Sequence, residues 1–362
     1  MKKVVAVLCL LLAWRSTASS QAEDVAAFSI VGWDALTGDL GIAVKAQSFG
    51  AGAVVPHAKA GVGAVAAQGA ANPGFGPQGI DLLEQGKGAR QAVEMLLSSD
   101  PGAARRQVAI VDAQGKSFGY TGAGCLPYAG QIIGDGYVVQ GTMLTGETVL
   151  KSIGRSFEIS SGDLAERLLS ALEAGEQAGG RQRGHQSAAL LVVRDGGGFG
   201  GFGDRMIDLR VDDDSAALSH LRRLFGTWQR TYLGGVQARS IEAFNEKKNF
   251  AAAQELTRRM VVVLNAQIRE HPDDPEVLSG VARVLATNNI DRQRALDLAK
   301  RASKLAPGNL RILDTLAECH FQSGNYDEAI AIESELVAKD PSSDEYWKQL
   351  KKFKDGKERQ SR

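Results

Sequence analysis

Through the first two thirds of the chain, apolar residues come in short runs broken by glycine and small polar residues. The runs fall at 28–31, 40–44, 62–67, 108–111, 137–139, 188–193 and 206–211, and this spacing predicts β-strands separated by turns. Thr37-Gly38-Asp39 and Asp112-Ala113-Gln114-Gly115 are short enough to close antiparallel hairpins. Amphipathic helices are predicted between the strands at 78–85, 89–97, 147–157 and 163–177. In the last of these Asp163 is placed to cap, and Leu164, Leu168, Leu169 and Leu172 share one face. Hairpins grouped with helices predict an α+β layered domain rather than a doubly wound parallel sheet.

Beyond Arg222-Arg223-Leu224-Phe225-Gly226 the pattern turns helical almost throughout, with Tyr232-Leu233-Gly234-Gly235 as the expected junction. An internal repeat follows. Ala295 and Ala329, Leu296 and Ile330, and Pro307 and Pro341 are each separated by 34 residues, the period of tetratricopeptide repeats. Leu313, Leu316 and Ala317 are expected on the first helix face of the second unit, Gly324-Asn325-Tyr326 at its turn and Ala329 at the helix crossing. His320 and Glu333 stand where such repeats often carry aromatics, and an earlier hairpin over 241–271 would complete a stack of about three units.

The start of the chain reads differently. Met1-Lys2-Lys3, an apolar run over 4–14 and a small polar tail have the layout of a secretory signal peptide; the run is shorter than the roughly 20 residues that span a bilayer. Cleavage after Ser20 or Ala22 is expected, giving an organisation of four parts: signal peptide 1–22, a first domain 25–232, helical repeats 236–353 and a polar tail 354–362. The mature protein is thus expected in the periplasm or secreted, with no membrane span after cleavage. The 42 basic and 42 acidic residues of the full chain balance, which leaves no electrostatic footprint for nucleic acid. Cys125 and Cys319 lie in different halves and read as free thiols.

Several phrases of the first domain resemble one family. Phe28-Ser29-Ile30-Val31, Gly52-Ala53-Val54-Val55-Pro56, Ala60-Gly61-Val62-Gly63-Ala64-Val65-Ala66, Asn72-Pro73-Gly74-Phe75-Gly76-Pro77, Thr121-Gly122-Ala123-Gly124-Cys125, Val139-Gln140-Gly141, Gln186-Ser187-Ala188-Ala189 and Asp208-Leu209-Arg210-Val211 are similar to domain of unknown function 1028, in that family's order. The resemblance implies the fold of N-terminal-nucleophile hydrolases, a four-layer αββα sandwich. It also implies where chemistry would sit: in such hydrolases a terminal Thr, Ser or Cys attacks an amide carbonyl while its own α-amino group takes the proton. Family members typically carry Thr before the Phe-Ser-Ile phrase, and here that position is Ala27. Ser29 is the nearby hydroxyl, but it lies within the strand and has no free amine. Thr142 and Gln131 depart from the Asn and His expected of the family, and Gln68, Asn72, Gln186 and Ser187 are the candidate pocket residues.

Other motifs fail on context. Gly198-Phe199-Gly200-Gly201-Phe202-Gly203 spells a dinucleotide fingerprint but leads into a strand, and Gly115-Lys116-Ser117-Phe118-Gly119 spells a nucleophile elbow between strands. The five histidines show no ligand spacing, and Asp212-Asp213-Asp214 lacks the alternation of a calcium loop, so neither metal nor cofactor is expected. Two functions remain. One is a non-catalytic ligand-binding or scaffolding domain joined to repeats that bind a protein or peptide partner; the alternative is an exported amidohydrolase or peptidase acting on a peptide or small amide.

Overall fold

The computed structural model describes residues 24–180 and 186–360. The expected signal peptide, 1–22, lies outside the described residues. The first domain opens with β1 (Asp24–Val25), β2 (Ala27–Trp33), β3 (Leu40–Ala46), a single turn of helix α1 (Ala51–Val54), β4 (Pro56–Lys59), β5 (Gly63–Ala70), α2 (Phe75–Glu84) and α3 (Ala89–Ser98). It continues through β6 (Arg106–Asp112), β7 (Ser117–Thr121), β8 (Gly130–Gly134), β9 (Tyr137–Gly141), α4 (Glu147–Ile159), α5 (Leu164–Gly175), β10 (Ser187–Val193), β11 (Arg205–Val211) and α6 (Ala217–Trp228).

These strands make two antiparallel sheets. One has the order β1-β5-β6-β7 with β4 also on β5, the other β11-β10-β3-β2-β9-β8. Strand periodicity sorts the side chains: along β2, Phe28 and Ile30 face the helices α4, α5 and α6, while Ala27 and Val31 face the opposing sheet. Val65, Val108 and Ile110 on the first sheet pack outward against α2 and α3. The result is helices, sheet, sheet, helices, the four layers expected. Asp163 caps α5 as read, its Oδ1 accepting from the Glu166 amide at 2.9 Å. Strands β4 and β8 escaped the sequence reading because Pro56-His57-Ala58-Lys59 and the glycine-bounded 130–134 segment carry no apolar run.

The expected junction at 232–235 is not a break. A π-helical turn over Gln229–Leu233 joins α6 directly to α7 (Gly234–Glu246). Gly234 holds ordinary helical angles, and a Cβ there would lie 2.2 Å from Val284 Cγ2. Its glycine serves close helix approach rather than termination. Six described helices follow: α8 (Phe250–Glu270), α9 (Pro275–Thr287), α10 (Arg292–Leu305), α11 (Leu310–Gln322), α12 (Tyr326–Lys339) and α13 (Asp344–Gln360). Side chains of Asn249, Asp274, Asp291 and Asn309 accept from the first-turn amides of α8 to α11, each fixing where a helix begins. Gly324, with φ 81°, makes the turn between α11 and α12, and Ala295 and Ala329 are fully buried.

Two details of the repeat reading need correction. Leu313 and Leu316 are only half-buried; Ile312, Ala317 and Cys319 form the buried face of α11, together with Asp314, Thr315 and Glu318. The polar stretch read as a tail is helical as far as Gln360, since its Lys- and Glu-rich composition favours helix. Cys319 is a free thiol whose pKa burial pushes up to about 12.

The helical module is fixed to one end of the sandwich by buried charge. Arg194, just past β10, donates through Nε and Nη2 to both carboxylate oxygens of Asp39 at 2.6 Å. Its Nη1 reaches Gln237 and Ser240 on α7 at 3.2 and 2.9 Å. Arg259 on α8 donates to Asp34 at 2.6 Å and to Glu255 at 3.1 Å. Asp163 lies close to Asp39 and Arg194, and burial, reinforced by Glu166 and Asp39, pushes its carboxyl up to about 6. Removing one member of a buried pair strands the other charge. Arg194→Ala should therefore cost about 3–5 kcal/mol in urea unfolding, whereas Arg301→Ala, from an exposed pair with Asp273, should cost under about 1 kcal/mol.

Candidate functional site

The position where the resemblance places a nucleophile is the start of β2. In the sheet, Ala27 stands opposite Ala46 of β3, which in turn stands opposite Ser187 of β10. Ala27 is 3% exposed, and its carbonyl accepts from the Thr142 amide at 3.0 Å and from Gln68 Nε2 at 3.1 Å. Upstream, the chain does not leave the fold. β1 pairs Asp24 with Ala70 and Val25 with Gly69 in the other sheet, and the Ala26 carbonyl accepts from the Gln47 amide at 2.8 Å. While the bond to Ala26 is intact, the nitrogen of residue 27 is a peptide nitrogen with no basic lone pair to take a proton, and its side chain is a methyl group.

A hollow of about 20 Å³ opens beside it, lined among others by Ala27, Lys45, Thr142, Met143 and Gly180. That is room for one water, far below the roughly 300 Å³ at which ligand pockets begin. Lys45 is buried and ion-paired to Glu176 at 2.7 Å, so its ammonium is engaged. Met143 holds φ 58° at the rim, a left-handed conformation of the kind that non-glycine residues adopt at constrained sites. Lys45 was missed in the sequence; its only signal there is a lone charge inside the apolar run of β3.

Ser29 is fully buried between the sheets. Its Oγ donates to Gln68 Oε1 at 2.6 Å and accepts from Gln140 Nε2 at 3.4 Å. Gln68 Nε2 donates on to Gln107 Oε1 at 3.0 Å, and Gln107 Nε2 reaches the Gly141 carbonyl at 2.8 Å and Thr121 Oγ1 at 3.0 Å. Gln140 Nε2 also donates to the Ala66 carbonyl at 3.0 Å. The hydroxyl proton thus points at an amide oxygen, which cannot act as a base, and the network is a polar seam through an apolar interlayer. Of the other candidates, Asn72 and Ser187 use their side chains on the backbone, and Gln186 bonds through its main-chain carbonyl. Asn72 Oδ1 accepts from the Gly74 amide at 3.0 Å and shapes the entry to α2. The Gln186 carbonyl accepts from the Asp214 amide at 2.8 Å. Ser187 Oγ donates to the Ser48 carbonyl at 2.6 Å and accepts from the Ala51 amide at 3.1 Å, holding α1 in place. The structure brings all four to the Ala27 end of the sandwich, yet none lines the hollow there.

At the opposite end a cleft of about 370 Å³ lies among Gly61, Glu84, Lys87, Asp112 and Gln114. Its walls are turns and the last turn of α2, and Asp112 is occupied by the Gln114 and Lys116 amides at 3.0 and 2.9 Å. Ser29→Ala would leave Gln68 Oε1 unpaired in the seam, and a loss of about 1–3 kcal/mol is expected in chemical unfolding. Unchanged stability would show that the seam does not depend on this hydroxyl.

A family of unknown function, DUF1028, matches residues 27–221, more than half of the chain, and a tetratricopeptide repeat family matches residues 291–352. No curated protein matches. The crystal structure of a DUF1028 protein from Silicibacter pomeroyi is similar at 29% identity, covering 56% of this chain and 89% of that one, with a TM-score of 0.51. The second tetratricopeptide domain of human RPAP3, solved with an HSP70 peptide, shares 12% identity over 34% of this chain and 97% of that one, with a TM-score of 0.22. An assembly chaperone of RpL4 shares 16% identity over 39% of this chain and 53% of that one, with a TM-score of 0.27. The chain belongs to the DUF1028 family and carries a tetratricopeptide-type repeat behind its family domain.

Proposed function

We propose that this is an exported binding protein, in which a non-catalytic N-terminal-nucleophile-hydrolase-like domain is joined to repeats that dock a protein or peptide partner. The start of β2 carries the reading: a methyl group where the oxygen would be, a peptide nitrogen where the amine would be, and space for one water where an amide substrate would sit. The module's position agrees. It is held at the end of β2, β3 and β10 that bears Asp34, Asp39 and Arg194, while Ala27 and Ser187 lie at the other end. Strands of seven residues separate the two by roughly 20 Å, so the module is anchored away from the Ala27 end. Export rests on the signal-peptide layout of 1–22, and a periplasmic or secreted location follows from it.

The competing reading, hydrolysis of an amide in a peptide or small molecule, is separated by one sample. Protein purified from the exported fraction should begin between Gln21 and Glu23 by intact mass. It should take up no β-lactone probe and turn over no member of a diverse amide library. Stoichiometric labelling of a single residue coupled to amide turnover would establish the hydrolase instead.

A further inference from the structure

Glu333 occupies an unusual place in the repeat module. It follows Ala329 by one helical turn on α12, so both point into the stack, and its side chain is fully buried with neither carboxylate oxygen hydrogen-bonded. Charged and titratable groups face it from each packed helix: Arg283 on α9, Asp314 and Glu318 on α11, Glu345 and Tyr346 on α13, with Asp340 also acting on Tyr346 from the connection before α13. The nearby cations are already engaged. Arg283 pairs with Asp314, and Lys352 donates to both oxygens of Glu318 at 2.8 and 2.7 Å, while Gln322 and Gln349 donate to the same carboxylate. Asp314 Oδ1 is itself buried without a partner. Among the described residues no cation hydrogen-bonds to Glu333, since Arg283 faces it but is paired with Asp314, and a buried carboxylate without a bonded partner is held neutral or drives water in.

We propose that Glu333 is a proton-operated latch for the last helix: protonated, it allows α13 to pack on α11 and α12, and on giving its proton to solvent it loosens that packing. α13 is the element that yields, because Leu350 and Phe353 are its buried residues, whereas α11 is also packed on α9 and α10. Burial, with Asp314 next in effect, pushes the Glu333 pKa up to about 8. A carboxyl group raised in the folded state stabilises it fully at pH values below the ordinary carboxylate range. That contribution is lost as pH rises through about 8.

The test is hydrogen exchange on the full chain at pH 6.5 and pH 9, followed by mass spectrometry and corrected for intrinsic exchange chemistry. Peptides from 344–360 should open at least roughly tenfold more at the higher pH, while peptides from β2 and β3 keep their protection. Glu333→Gln and Glu333→Met should both exchange slowly in 344–360 at the two pH values. Equal protection in the wild type at both pH values would overturn the latch, as would a pH-dependent loss in the two variants equal to that of the wild type. Should either variant fail to fold, the other and the wild-type comparison still decide.

Discussion

Strand β2 is buried on both faces, and that constraint shapes the domain around it. It lies between β3 and β9 at the middle of its sheet, with helices on one side and the second sheet on the other. A polar side chain on it has no route to water, so Ser29 is satisfied only through Gln68 and Gln140 from strands on either side of the interlayer. The three glutamines of the seam come from β5, β6 and β9 and tie both sheets together where the rest of the interface is Val, Ile, Leu and Ala. A hydroxyl spent in this way is a structural element. The same centrality pins residue 27, since β1 leads into β2 while belonging to the opposite sheet.

The two ends of this strand have different fates. At its beginning the fold is closed, with a hollow for one water and Lys45 neutralised by Glu176. At its end, Asp34 and Asp39 stand at either side of the β2–β3 turn and receive Arg259 and Arg194. Ion pairs removed from water cost desolvation energy that their attraction must offset, so a buried pair is weak evidence of added stability. Here they specify how the sandwich meets α7 and α8. The continuous helix from α6 through the π turn into α7 then makes the passage between the two parts a packed connection rather than a flexible linker.

The repeat module combines the spacing of the repeat with charged side chains in its interior. Ala295 and Ala329 keep the close crossings that the period requires, and backbone capping by Asn and Asp starts successive helices. Yet α11 buries Asp314 and Glu318, and α12 buries Glu333, where an apolar residue would pack without penalty. Of these, Asp314 and Glu318 recruit cations from neighbouring helices, Arg283 and Lys352, so part of the cohesion between repeats is electrostatic.

The sequence by itself determined the layered fold, the antiparallel hairpins, the Asp163 cap and the 34-residue repeat, because each is written in local periodicity and turn chemistry. With the family resemblance to place the position, it also showed that residue 27 is an alanine without a side-chain oxygen. Only the tertiary structure decided that Ser29 is sealed inside the seam, that the side chains of Gln68, Asn72 and Ser187 hydrogen-bond to backbone or across the interlayer, and that Gly234 marks a helix contact and not a linker. Arg194, Arg259 and Lys45 gave no sign of their partners, because Asp39, Asp34 and Glu176 are distant along the chain. Such pairings arise from the packing of whole elements, which local pattern does not encode.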